Sequence, residues 1–231
     1  MQAIERKRAV VSMLAAAFVL SGTAALAFPF GRSWHDPSNG TQTTGGRAGA
    51  GGIYGMGSAT DYGITCAHCH IGGKGQIGAT ITPTPAWTKV NNQDGYKPGQ
   101  MYSIKVNLTG EHLGLNQGNN NLNGMAITFE NQGGKVTGLL TADSGVSSAN
   151  CQANYPMANP AGKTTYIYGD CHGIVYVPVP NATSWTFSWT APAAGAGQMT
   201  VFYGVVDGDA GGKSSLDDDV KMGTIKLVEG S

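Results

Sequence analysis

Cys66, His68, Cys69 and His70 fall within five positions of the stretch GITCAHCHIGG at 63–73. Two thiols so spaced, with an imidazole next in the chain, can serve four kinds of chemistry. A Cys66–Cys69 disulfide has no need of His70. A thioredoxin-like redox pair opens a helix after a βαβ unit, because the helix dipole lowers the thiol pKa. Here glycines and strand-like runs follow instead. A zinc site takes four ligands, and no second CxxC or HxxxH pair completes the set. The fourth reading uses every residue, since C-x-x-C-H is the attachment sequence of c-type haem. In that reading Cys66 and Cys69 form thioethers with the porphyrin, and His70 is the proximal iron ligand, oriented through its second ring nitrogen. The expectation is one covalent haem c on Cys66, Cys69 and His70, with His68 facing solvent. His35, His112, His172 and the methionines are the candidates for the distal position.

The first residues carry an export pattern. MQAIERKR is a basic start, AVVSMLAAAFVL an apolar run, and Ala25–Ala27 a small-x-small cleavage signal. A signal peptide over 1–27 predicts a periplasmic or extracellular protein. No later stretch is apolar enough to span a bilayer. Outside the cytosol Cys151 and Cys171 are expected to pair as a disulfide. That bridge would close a loop of about twenty residues, worth roughly 3 kcal/mol on the chain-entropy view. Formal net charge is zero with only 12% charged residues, so there is no basic patch for nucleic acid.

Glycine numbers 36, and the pattern favours strands and turns. Residues 28–62 show no apolar period and are expected to be a flexible Gly-rich segment able to wrap over a neighbouring surface. Residues 63–78 form the attachment loop, with GGKGQIG as turn material. From 79 to 231 the chain reads as a β-sandwich. ATITPTPAW is an edge strand that tolerates its prolines. MYSIKVNLTG puts Tyr102, Ile104, Val106 and Leu108 on one face. GMAITFE, KVTGLLTA, TTYIYGD, HGIVYVPV, SWTFSWTAP, QMTVFYGVVDG and KMGTIKLVE follow, with NQGG as a hairpin turn. This predicts an all-β, two-layer antiparallel sandwich of about eight or nine strands, with Trp185, Phe187 and Trp189 in its core. DGDAGGKSSLDD at 207–218 partly matches a calcium loop through Asp207, Asp209 and Gly212. Gly211 and Asp218 stand where ligands differ, and a solvated hairpin is the favoured reading.

TCAHCH, GYKPGQMYSIKVNL and SWTFSWTAPAAGAGQMTVFYGVV together resemble bacterial Reeler-like domains of the choice-of-anchor V type, over roughly residues 60–228. The resemblance implies an immunoglobulin-like sandwich with one haem c at its N-terminal edge. It also points to His172, in TYIYGDCH, as the distal iron ligand ahead of His112, held rigidly if Cys171 pairs with Cys151. The function expected on this reading is that of an exported monohaem cytochrome, not an enzyme. It would pass one electron between redox partner proteins, other cytochromes among them. The competing expectation is an extracytoplasmic, disulfide-stapled binding or adhesion module without haem.

Overall fold

The computed structural model describes residues 55–59, 63–68, 70–73, 76–111, 123–145, 147–149, 163–168, 173–176, 181–208 and 216–231. The signal segment, His35, His112, Cys69, Cys151, Cys171, His172, Asp209, Gly211 and Gly212 lie outside the described residues.

The described chain folds into two sheets. The smaller holds β2 (Gln76–Thr84), β5 (Met101–Glu111), β10 (Ser184–Thr190) and β7 (Leu139–Ala142), in the order β2-β5-β10-β7. The larger holds β3 (Thr88–Val90), β4 (Gln93–Tyr96), β12 (Leu216–Glu229), β11 (Met199–Asp207), β6 (Gly124–Asn131), β9 (Gly173–Tyr176) and β8 (Thr165–Tyr168), in that order, and β1 (Ile71–Gly72) adds to β12. The expected all-β sandwich is what forms. Most pairs are antiparallel, but β1 and β4 both run parallel to β12.

Alternation along the strands builds the core. Tyr102, Ile104, Val106 and Leu108 of β5 are buried while Ser103 and Lys105 face out. Trp185, Phe187 and Trp189 of β10 are buried against them. Trp189 is the hub: its ring stacks on Phe129 at 4.4 Å and lies 5.8 Å from Tyr102. Its indole N–H donates to Thr137 O at 3.0 Å, so the polar edge is satisfied where the ring is buried. The 131–134 turn forms as expected, with Gly134 N donating to Asn131 O. The strand after it does not pair back onto β6. After one bridge from Glu130 to Val136 the chain crosses over, and β7 joins the smaller sheet beside β10.

Strand limits differ from the sequence reading at three places. β2 starts at Gln76, inside the stretch read as a turn, because Gln76–Gly78 find partners in Glu111–Thr109. β12 starts at Leu216, where β11 continues to Asp207 opposite Asp219. β1, β3 and β4 are short, glycine-bearing or polar strands with too few residues to show a period.

Candidate functional site

The Cys/His stretch is laid across the outer face of the larger sheet. Residues 55–58 double back on 63–66: Gly57 N donates to Ile64 O at 2.8 Å, Gly63 N to Ser58 O at 2.9 Å and Cys66 N to Gly55 O at 2.7 Å. Cys66–His68 is then a single 3-10 turn. His68 is exposed, and its Nδ1 accepts from Thr65 N at 3.0 Å, which closes that turn. His70 N donates to Cys66 O at 2.9 Å and turns the chain into β1.

Glycines on the sheet let this strap come close. A Cβ added to Gly204, in the middle of β11, would lie 3.0 Å from Cys66 Sγ and 2.8 Å from Met222 Sδ. One added to Gly173 would lie 3.2 Å from Met56 Cε. Gly134, at φ +71°, brings Ala59 against the turn after β6 in the same way. Met56 and Ser58 are buried, and so are the outward residues Ala126, Thr128 and Glu130 of β6, on the face that the strap covers. Gly55 itself has φ +73°, a conformation that glycine adopts without strain.

Asp218 anchors the far end. His70 Nδ1 stands 2.6 Å from Asp218 Oδ2, with Asp218 4% exposed and the His70 ring 37%. A carboxylate oxygen accepts, so the contact suits a ring that carries hydrogen on Nδ1. Gly73 N donates to Asp218 O at 3.1 Å, and a side chain on Gly73 would collide with Asp219. Sequence reasoning found His70 but not its partner, because Asp218 is 148 residues away and was seen only as the last residue of an acidic turn. The signal that was there is Gly204. A glycine inside VFYGVV, between strand formers, marks a close backbone approach.

The acidic turn has no calcium-loop geometry among its described residues. Asp207 stands directly opposite Asp219 in the β11–β12 ladder, so these two share a face. Asp218, one residue earlier, points to the other face and meets His70. The first and last candidate ligands are thus on opposite sides of the hairpin.

A second set of contacts pins the TAPAAGAGQ loop. Glu229 accepts from Gly195 N and Gly197 N, both at 2.7 Å, and Tyr96 OH lies 3.3 Å from the same carboxylate. The Gly195 and Gly197 amides hold the Glu229 carboxyl below its usual range. Burial first, and Glu229 second, push the Tyr96 hydroxyl up to about 12.

No protein-family model matches the chain. No curated protein matches it at a significant level. Among solved structures it is similar to the human F-spondin reeler domain, at 15% identity over 69% of this chain and 92% of that one, with a TM-score of 0.38. It is similar also to the Reelin-N domain of F-spondin, at 15% identity over 70% and 91%, with a TM-score of 0.39. A conjugative transposon lipoprotein from Bacteroides eggerthii gives 14% identity over 64% and 95%, with a TM-score of 0.28. At these scores the superpositions are loose, and the two-sheet architecture rests on the strand pairings above.

These findings correct the cytochrome reading. A thioether requires its sulfur at the rim of the porphyrin, but Cys66 Sγ is packed onto the backbone of Gly204, with Gly55 on its other side and Met222 beside it. Among the described residues no three His, Cys, Asp or Glu side chains gather as they would around a metal ion. The His70 ring is committed to Asp218 in a strap that ties the chain to its own sheet. The haem, iron and electron-transfer expectations are therefore not supported, and a sandwich module without haem fits better. No disulfide joins described residues. Of Cys66, Cys69, His70, Cys151, Cys171 and His172, only Cys66 and His70 are described.

Proposed function

We propose that this chain is an exported β-sandwich binding module that works without haem and meets neutral polysaccharide through the outer face of its smaller sheet. The observation that carries the reading is the makeup of that face. Register places Thr84, Ser103, Ser188 and Thr141 in one row across the four strands. The next rows are Thr82, Lys105 and Thr186, then Thr80, Asn107 and Ser184. Each is exposed or half-buried, and Lys105 alone is charged. The rows repeat about every 7 Å along the strands, and neighbours within a row lie about 4.8 Å apart. Such a face offers many hydroxyl and amide donors and acceptors with little field to attract an ion. Its complement is an uncharged polyhydroxylated polymer, bound through many weak hydrogen bonds whose effects combine along the chain. Aromatic side chains do not take part, since those of the described sheet turn inward. The basic and apolar pattern of residues 1–27 supports export to where such polymers lie.

Co-sedimentation with insoluble neutral polysaccharides tests the reading. Depletion of the protein from solution by cellulose or chitin, resistant to added salt, supports it. Depletion only by an acidic polysaccharide, abolished by salt, would mean that Lys105 and other cations were the attraction.

A further inference from the structure

The hydroxyl rows of the smaller sheet end on an apolar one. Thr190 of β10 stands opposite Met101 of β5 on one side and opposite Leu139 of β7 on the other. Tyr102, Trp189 and Leu140, their neighbours along the strands, are buried, so alternation turns Met101, Thr190 and Leu139 outward. Met101 is 60% exposed and Leu139 38%. Among the described residues the other exposed large apolar side chain is Ile71, on β1 in the larger sheet. Ser103, Ser188 and Thr141 form the adjoining row, about 7 Å along the strands.

Met101 and Leu139 stand two strand spacings apart, about 9.6 Å. Thr190 between them is half-buried and shorter than either, so its hydroxyl lies at the floor of a notch with an apolar wall on each side. Such a notch suits one small group with a methyl end and a hydrogen-bond acceptor beside it. An acetamido group has both. Its methyl takes the gap against Met101 and Leu139, and its carbonyl oxygen accepts from the Thr190 hydroxyl. A bare sugar hydroxyl in the same place would exchange water for an apolar wall. Two side chains offer too little apolar surface for a lipid or a stable protein interface.

We infer that the polymer taken by this face carries N-acetyl groups, and that Met101, Thr190 and Leu139 seat one of them. The inference rests on the polysaccharide reading above and narrows it from neutral polymers at large to those built of N-acetylated amino sugars. The hydroxyl rows hold the sugar rings, and the end row distinguishes what the rings carry.

Calorimetric titration of the full chain with chitin oligomers and with cellulose oligomers of equal length tests this. The two differ by an acetamido group in place of one hydroxyl on each ring. The acetylated oligomer should bind about fourfold tighter or better, the return on burying one methyl group. Met101→Ser combined with Leu139→Ser changes two exposed positions and should keep the parent circular dichroism. It should bring the two oligomers to equal affinity and leave the cellulose oligomer unchanged. Thr190→Val keeps the shape of the floor, removes its hydroxyl and should weaken the acetylated oligomer alone. Equal binding of both oligomers by the parent, or a double variant that keeps the preference, overturns the inference and leaves the polysaccharide reading standing. Displacement of the bound oligomer by a leucine-rich peptide, in the parent and not in the double variant, would assign the notch to a protein partner and overturn it also. Binding of neither oligomer by the parent overturns both.

Discussion

Cys66 rests on Gly204: the thiol of the CAHCH stretch is seated over a strand glycine that has no side chain to hold it off. That contact, with the His70–Asp218 pair, turns a stretch that reads as reactive into a fastening. The strap covers one outer face of the sandwich. The other bears rows of hydroxyl and amide side chains with Lys105 among them, and Met101 and Leu139 exposed at one end.

Filling the seat should loosen the strap. Gly204→Ala places a methyl 3.0 Å from Cys66 Sγ and 2.8 Å from Met222 Sδ. Met222 can turn aside, whereas Cys66 is held by its own backbone bond to Gly55. Overpacking of this kind costs about 1–3 kcal/mol. Urea unfolding of parent and variant measures it, and an unchanged midpoint would show that the strap is not pressed onto β11.

Cutting the anchor should release the same segment. Asp218→Ala removes the acceptor of the His70 ring and leaves Gly73 N–H bonded to a more mobile strand end. Hydrogen bonds to a charged group contribute about 1.5–3 kcal/mol. Amide exchange in 55–73 should speed up while β5 and β10 keep their protection. Uniform loss across the molecule would mean that Asp218 supports the whole sandwich.

Acid should weaken the other fastening. The Glu229 carboxyl is held below its usual range, so its contribution is complete above the ordinary glutamate pKa and is lost as pH falls through the lowered one. The Tyr96 hydroxyl is raised from 10.0 to about 12, so its contribution is complete below 10.0 and is lost as pH rises through that window. Glu229→Gln should flatten the acid side of the stability profile. A variant profile that superimposes on the parent at low pH would contradict this.

The intact mass of the mature chain, purified from its natural host, should equal that of the polypeptide with no porphyrin attached. A porphyrin adduct on the peptide holding Cys66 and Cys69 would restore the cytochrome reading against the packing seen here.

Alternating residues made much of the fold legible. Tyr102 to Leu108 and Trp185 to Trp189 are buried as their period predicts, because a strand with one wet face writes its orientation into every second residue. β1, β3 and β4 were not legible: all three are too short to carry a period, and β1 and β4 join the sheet through the distant β12, with β3 paired only to β4. The site divides in the same way. The spacing of Cys66, Cys69 and His70 stands out in sequence, but what Cys66 and His70 do is set by Gly204 and Asp218, more than 130 residues on. A local motif states which chemistry is available, and the surface on which it lands decides whether that chemistry is used.

The most direct measurement is a pair of binding isotherms on insoluble neutral polysaccharide, for the parent and for Thr186→Arg. Position 186 lies mid-face beside Lys105, and arginine there adds bulk and charge to a half-exposed site without entering the core. Saturable binding by the parent, weakened at least about tenfold in the variant for a loss of about 1.4 kcal/mol, is the expected result. Equal binding by both, or none by the parent, would contradict the account.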